Sequence, residues 1–217
     1  MKNVAVLLSG CGNRDGSEIR EAVLTLLALD EAGVRVQCLA PDMLQTRVTS
    51  HLTGTSVEGR RQVLEEAARI ARGEIRDVAG ARAADYDALI VPGGLGAALN
   101  LSDFALKGSG MTVHPAVLSF ARTLHSAGKP VGLICIAPVL APAIAGTGVR
   151  YTLGDAPDVE AKVDAMGGHH VRCAVTECIV DAAHKVVSTP AYMYGDARVS
   201  EVATGIRKLV AAVLEMA

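Results

Sequence analysis

The sequence predicts an α/β fold, a doubly wound sandwich in which a mostly parallel sheet carries helices on both faces. Short apolar runs at Val4 to Leu8, Ala88 to Val91 and Val131 to Ile134 are typical of parallel strands that are buried on both sides. Segments with helical periodicity separate these runs. Strands that alternate with helices at this spacing indicate right-handed crossovers within one sheet.

The first elements follow from apolar runs and the residues that end them. Val4 to Leu8 reads as a strand that leads into a glycine-rich loop. Asp15 to Ser17 offers caps for a helix over Ile19 to Leu29, and Gly33 ends that helix. Val34 to Leu39 returns to strand, so the chain begins with a β-α-β unit.

The same alternation continues through the rest of the chain. Proline and glycines at Pro92 to Gly96 force the backbone out of the sheet after the third strand. The other predicted elements are a helix over Gly59 to Arg72, a strand over Ala88 to Val91, a helix from Pro115 to Leu124 ended by Gly128, a strand over Val131 to Ile134, a helix over Asp158 to Met166, short strands over Val171 to Val175, Ile179 to Asp181 and Lys185 to Thr189, and a closing helix over Val199 to Met216.

Composition narrows the class of protein and its partners. A length of 217 residues suits one domain, 1–217, and because only 3% of residues are aromatic, Ala, Val and Leu must fill the core. Lys plus Arg number 21 against 23 for Asp plus Glu, so we expect neither nucleic acid nor a membrane as partner. The first apolar run is too short for a signal peptide, and five cysteines, an odd number, do not suit a disulfide framework. These features predict reduced thiols and a cytoplasmic location.

Candidate site residues follow the strands, because open parallel sheets bind ligands outside the carboxyl ends of their strands. Cys11, Glu18 and Glu21 come after the first predicted strand, and the Pro92 to Gly96 loop follows the third. Cys135 comes directly after the fourth. We expect all of these groups at one edge of the sheet.

Cys135 is the strongest candidate for a nucleophile. It stands at a strand-to-helix turn, with Pro138 suited to the first turn of the helix, and so its thiol should face helix N-terminal amides that lower its pKa. The arrangement parallels the nucleophile elbow of hydrolases, although the serine signature is absent. The alternative is that Cys135 is a small buried apolar residue at the end of a strand.

The acids and glycines nearby have alternatives of their own. Glu18 and Glu21 share one helix face, where either could carry a proton to Cys135 or merely stabilise the helix N-terminus. Gly93 and Gly94 could donate N–H groups to an oxyanion or serve only to turn the chain.

The remaining polar candidates indicate no further site. The histidines His114, His169 and His170 have no carboxylate partner in the sequence pattern and read as solvated or structural. The spacing of Cys173 and Cys178 does not match a zinc site, so we expect no metal.

Three segments of the sequence stand out together, and they are Leu8 to Ala22, Val91 to Ser102 and Gly132 to Pro138. They resemble the PfpI-like, class I glutamine amidotransferase-like superfamily. Within it the chain is similar to the ElbB family, the enhancing lycopene biosynthesis or sigma cross-reacting proteins, over essentially its whole length, with His51 to Gly54 and Thr189 to Met193 as further likenesses.

The resemblance implies a flavodoxin-like sandwich, usually a homodimer, with an elbow cysteine at Cys135. It implies Glu21 as the partner acid, because in the superfamily that acid lies twelve residues before the glycine that ends the first helix, here Gly33. It also implies the backbone amides of Gly94 and Ile136 as oxyanion donors. Glu18 and Cys11 are expected to stand behind this set, and no metal or cofactor is implied.

Proteins of this kind are described as cofactor-independent glyoxalases. The resemblance therefore implies a glutathione-independent enzyme that converts glyoxal to glycolate, or methylglyoxal to lactate, through a cysteine hemithioacetal. That activity could reflect deglycase chemistry, and the family name links it to isoprenoid biosynthesis.

Two departures from the superfamily narrow the expected chemistry. Ile136 stands where peptidases of the superfamily carry a histidine, and no His-x-Glu pair of a true amidotransferase occurs. The alternative to a glyoxalase is a redox-responsive or regulatory binding protein that uses the same thiol.

Overall fold

The computed structural model describes residues 1–217. The strands are β1 (Asn3–Leu7), β2 (Arg35–Ala40), β3 (Ile75–Asp77), β4 (Ala88–Val91), β5 (Val131–Ile134), β6 (Arg150–Tyr151), β7 (His169–His170), β8 (Ile179–Asp181) and β9 (Val186–Thr189). The helices are α1 (Ile19–Glu31), α2 (Val63–Ile70), α3 (Gly96–Leu99), α4 (Phe104–Lys107), α5 (Pro115–Ser126), α6 (Ala141–Ala145), α7 (Pro157–Asp164) and α8 (Val199–Met216). None of the helices combines the length and apolar character that crossing a membrane requires.

Seven strands form one sheet in the order β3-β2-β1-β4-β5-β9-β8, and β6 pairs with β7 in a small separate sheet. Every neighbouring pair in the large sheet is parallel except β8 with β9. The chain moves outward from β1 to β3 and then restarts with β4 on the other side of β1. The predicted α/β class with a mostly parallel sheet is confirmed, and the gap between β1 and β4 is the topological switch point at which such sheets bind ligands.

Helices cover both faces of the sheet, which explains the continuous apolar runs. Val4 and Val6 of β1 pack into the cluster that contains the buried residues of α1 and α8. Ala5 and Leu7 point the other way, into the cluster that contains those of α5. Because successive side chains on a strand face opposite sides, a strand between two helical layers must be apolar at every position.

The predicted cap of α1 is wrong by a few residues. Asp15 and Ser17 do not cap the helix, because Asp15 Oδ2 accepts a hydrogen bond from the Thr49 amide and Ser17 Oγ accepts one from the Ser9 amide. Glu18 takes the capping position, and its Oε2 accepts from the Glu21 amide at 2.7 Å. Asp15 and Ser17 have the stronger local preference for capping, but their side chains form hydrogen bonds elsewhere in the fold.

Two other predicted elements also differ. The helix predicted over Gly59 to Arg72 is confined to α2, because Gln62 pairs with Leu44 in an antiparallel bridge and Arg72 adopts a positive φ of 54°. The strand predicted over Val171 to Val175 is absent. After the Val171 amide bonds to Tyr151, this segment leaves the small sheet, and the hydroxyl of Tyr194 donates to the carbonyl of Cys173.

Gly132 in β5 is predicted to be essential for the packing of α8. A Cβ at this position would lie 2.9 Å from Leu209 Cδ2 and 3.1 Å from Val213 Cγ2. Gly132→Ala should lower the free energy of unfolding by about 1–3 kcal/mol through overpacking, as measured by urea denaturation. Gly80→Ala is the control, since a Cβ there meets nothing within 4 Å, and an equal loss in the two variants would contradict this packing argument.

Candidate active site

Cys135 stands at a strained turn directly after β5. Its φ is +60°, a left-handed value that costs a non-glycine residue about 1–3 kcal/mol. The Cys135 amide still donates to the Thr189 carbonyl of the neighbouring strand at 2.9 Å, and a 3-10 turn at Ala137–Leu140 follows. The elbow geometry agrees with the sequence prediction, whereas the element after it is a short 3-10 turn that leads into α6.

Glu21 lies behind Cys135 and is fully buried. Its Oε2 accepts a hydrogen bond from the Gly93 amide at 2.9 Å, and its Oε1 accepts one from the Tyr192 amide at 3.1 Å. The Cys135 thiol lies beside the carboxyl group and interacts with it. Four separate segments, which follow β1, β4, β5 and β9, therefore meet at this one carboxyl group.

The loop after β4 contains glycines because nothing larger fits. A Cβ on Gly93 would lie 2.4 Å from Cys135 Cβ and 2.6 Å from Glu21 Oε2. A Cβ on Gly94, whose φ is +93°, would lie 2.3 Å from the Gly16 carbonyl oxygen. Both positions require close approach of the backbone, which brings the amide groups of this loop up to the thiol and the carboxyl.

The backbone amides of Gly94 and Ile136 lie close to the sulfur of Cys135. They are the donors that the sequence resemblance implied for an oxyanion. N–H groups held at the nucleophile in this way can stabilise negative charge that develops on an oxygen bonded to the attacked carbon.

Burial governs the acid-base behaviour of the pair. It raises the pKa of Glu21 to about 8, aided by the neighbouring charge of Glu18 and opposed by the amides of Tyr192 and Gly93 and by the thiol. Burial and the adjacent Glu21 also raise the pKa of Cys135 well above its ordinary value, although the Gly94 and Ile136 amides oppose the shift. The expectation of a lowered thiol pKa is therefore wrong, because loss of hydration outweighs two amide donors.

Cys135 opens onto a cavity of about 430 Å³. The residues that line it are Asn13, Arg14, Glu18, Gly94, Leu95, Cys135, Ile136, Tyr192 and Met193. A second cavity of about 450 Å³ adjoins it and shares Asn13, Glu18 and Tyr192. Sequence patterns did not identify Arg14 or Tyr192, although both follow buried strands that end at this same edge of the sheet.

The structure does not bring Cys11 to this site. The charged groups that act on its thiol are Glu66, Arg69, Asp15 and Arg61, and Cys135 and Glu21 are not among them. Glu18, by contrast, lines the cavity and caps the helix that carries Glu21.

The histidines give one correction to the sequence interpretation. His170 does have a carboxylate partner, since its Nδ1 lies 3.2 Å from Glu160 Oε2. Cys173 and Cys178 are free thiols, and no group of three or more His, Cys, Asp or Glu side chains is placed to hold a metal ion.

The sequence profile described as the DJ-1/PfpI family matches residues 4–192. The chain belongs to this family. Its members share the flavodoxin-like sandwich described above, so the family assignment and the fold agree with each other and with the resemblance of the sequence motifs to PfpI-like proteins.

Two curated relatives align with nearly the whole chain. The Homo sapiens glutamine amidotransferase-like class 1 domain-containing protein 3, mitochondrial, is 44% identical and aligns with 98% of this chain and 82% of its own length. The Rattus norvegicus ES1 protein homolog, mitochondrial, is 43% identical, over 98% of this chain and 83% of its own.

Solved structures give the same family fold. An isoprenoid biosynthesis protein with an amidotransferase-like domain from Ehrlichia chaffeensis superposes with a TM-score of 0.91 at 35% identity, over 98% of this chain and 99% of that one. Drosophila melanogaster DJ-1beta has a TM-score of 0.54 at 18% identity, over 99% and 95% of the two chains, a likeness of fold alone.

The raised pKa of Glu21 predicts how stability depends on pH. The unfolded carboxyl ionises near 4.5 and the buried one near 8, so the unfolded state binds fewer protons between these values. The free energy of unfolding should therefore fall as pH rises through this window, by up to about 5 kcal/mol.

Urea denaturation of the wild type and of Glu21→Gln from pH 5 to pH 8 tests how the free energy of unfolding depends on pH. The glutamine cannot ionise, so its stability should change less with pH, although it loses some stability throughout because its NH₂ group faces an amide donor. Parallel pH profiles for the two proteins would contradict a buried, protonated Glu21.

Proposed function

We propose that this protein is a cofactor-independent glyoxalase, which converts glyoxal to glycolate and methylglyoxal to lactate without glutathione. The observation that carries the proposal is the contact between the Glu21 carboxyl and the Cys135 thiol at a strained elbow beside an open cavity. A thiol forms a hemithioacetal with an aldehyde, and an adjacent carboxyl can move the protons that this chemistry releases and requires.

The first step joins Cys135 sulfur to one aldehyde carbon of glyoxal. In the form of the protein that reacts, Glu21 is ionised and the thiol carries its proton. Glu21 accepts the thiol proton as the carbon–sulfur bond forms and passes it to the carbonyl oxygen, which becomes a hydroxyl. Because burial raises the pKa of Glu21 to about 8, this ionised form is the minor one at neutral pH.

The second step moves a proton from the carbon bonded to sulfur to its neighbour through an enediol. The first carbon is oxidised to a thioester, and the second is reduced to an alcohol, so no external oxidant or reductant is needed. Water then cleaves the thioester to glycolate and restores the thiol. The amides of Gly94 and Ile136 would stabilise the oxyanion, and one such donor contributes about 3 kcal/mol in other enzymes.

The finer family assignment is also a proposal. We place the chain in the ElbB branch, which is supported by the Ehrlichia chaffeensis isoprenoid biosynthesis protein at 35% identity. A homodimer, deglycase activity and a cytoplasmic location stay predictions, and the names of the human and rat relatives assign those proteins to mitochondria.

The redox-responsive alternative has less physical support at this thiol. Sensor cysteines are accessible and have a low pKa. Cys135 is only 7% exposed, and burial raises its pKa. Peroxide titration with mass spectrometry separates the two functions, since rapid oxidation of Cys135 without any glyoxal turnover would favour sensing.

The proposal predicts distinct losses in site variants when glycolate formation from glyoxal is measured. Cys135→Ala should abolish turnover, because no other group can form the thioester. Glu21→Gln should lower kcat/KM by about 10²–10⁴-fold, the usual range for a lost acid-base group. Cys11→Ala is the matched thiol control and should leave turnover unchanged.

The Glu18→Gln variant tests which of the two acids transfers the proton, because Glu18 lines the cavity and Glu21 is buried beneath it. A larger loss in Glu18→Gln than in Glu21→Gln would transfer the proton role to Glu18. Retained turnover in Cys135→Ala would refute the glyoxalase mechanism itself.

A further inference from the structure

Arg14 is the one basic residue that lines the cavity of Cys135. Its guanidinium forms no ion pair and no hydrogen bond within the chain. A guanidinium has five N–H donors in a planar fork, and at this position all of them are free to bind a ligand. The glyoxalase mechanism uses none of them.

His51 holds the Arg14 backbone in place. His51 Nε2 accepts a hydrogen bond from the Arg14 amide at 3.2 Å, so the ring proton is on Nδ1, which lies 3.2 Å from the Thr49 carbonyl oxygen. The ring also packs against Gly12, where a Cβ would lie 2.4 Å from Nε2. These contacts fix the segment that carries Arg14 at the edge of the cavity.

Gly54 supports the side chain of Arg14. A Cβ at Gly54 would lie 2.8 Å from Arg14 Nη1, so the guanidinium rests directly on this glycine. His51 and Gly54 are the two ends of the His51–Gly54 segment that the sequence resemblance includes and the mechanism leaves without a role. Its two ends both serve to place Arg14.

The acids near Arg14 are occupied elsewhere. Asp15 Oδ2 accepts from the Thr49 amide at 2.7 Å, and Oδ1 lies 4.0 Å from His51 Nε2. Glu18, the one acid that lines the cavity, accepts from the Glu21 amide. Neither acid forms an ion pair with Arg14. The positive charge of the guanidinium is therefore not neutralised within the chain and can attract an anionic ligand.

The size of the cavity points to a ligand larger than glyoxal. The cavity of about 430 Å³ is bounded by nine residues from separate segments of the chain. Glyoxal has four heavy atoms and fills a small part of that volume. An aldehyde bound at Cys135 therefore leaves room for a substituent that reaches Arg14.

We propose that Arg14 is the specificity-determining residue and that the preferred substrate is an α-oxoaldehyde bearing a carboxylate. Glu18 in the same cavity disfavours a second negative charge, which favours a carboxylate over a phosphate. This substrate class rests on the proposed glyoxalase function.

The test compares two thiol reagents that differ in one group. Iodoacetate carries a carboxylate and iodoacetamide a neutral amide, and peptide mass spectrometry follows alkylation of Cys135. In Arg14→Gln the ratio of the iodoacetate rate to the iodoacetamide rate should fall about tenfold, the effect of one charged hydrogen bond. Gly54→Ala, which displaces the guanidinium, should lower the same ratio without slowing iodoacetamide.

Arg35→Gln is the matched control, because Arg35 begins β2 and so lies at the opposite end of the sheet from Cys135, which follows the end of β5. It makes the same change in net charge and should leave the ratio unchanged. Calorimetry gives a second measurement that does not require a reactive thiol. Malate, a 2-hydroxycarboxylate that bears a second carboxylate, should bind the wild type more tightly than lactate, and Arg14→Gln should lose this preference.

An unchanged alkylation ratio in Arg14→Gln, together with equal binding of malate and lactate by the wild type, would overturn the inference. Neither measurement depends on turnover. If the protein fails to convert glyoxal while the Arg14-dependent ratio persists, the glyoxalase proposal fails and anion recognition at Cys135 stands.

Discussion

Burial of the Glu21 carboxyl is the constraint on which the rest of the site depends. A carboxyl group without access to water holds its proton unless donors or cations compensate for lost hydration. Here two backbone amides and one thiol surround it, and its pKa is still raised to about 8. The pKa of the neighbouring thiol is raised as well, so the pair can carry one negative charge at most near neutral pH.

The fold supplies this arrangement through its parallel sheet. The segments after β1, β4, β5 and β9 emerge at the same edge, next to the topological switch point. Close approach of their backbones excludes side chains at Gly93 and Gly94, and the elbow holds Cys135 at an unfavourable φ. Strain of this kind persists because the packing and hydrogen bonds around the residue hold its backbone in that conformation. The elbow therefore holds the Cys135 thiol next to the Glu21 carboxyl at a cost in stability.

Sequence patterns were sufficient for the sheet, whereas the choice of Glu21 over Glu18 as the partner of Cys135 came from the family resemblance and stays a prediction. The runs at Val4 to Leu8 and Val131 to Ile134 gave strands because burial on both faces makes every position apolar. The cap of α1 and the roles of Tyr192 and Arg14 were not predictable. Asp15 has a stronger local preference for capping than Glu18, but its carboxylate accepts a hydrogen bond from Thr49 instead. Tyr192 contributes to the site through its backbone amide, which cannot be predicted from the type of residue. The pKa of Cys135 was predicted in the wrong direction because burial depends on the packing of distant segments.

Titration of the Glu21 carboxyl itself tests the central claim most directly. Carbon-13 NMR on protein labelled at the glutamate side chains, assigned by comparison with Glu21→Gln, would follow its ionisation in the folded state. We predict that one glutamate titrates near pH 8 and that this signal is missing in the variant. Ionisation of Glu21 near its ordinary value of 4.5 would contradict the account, because the carboxyl would then be charged, and the protonated pair described here would not exist at neutral pH.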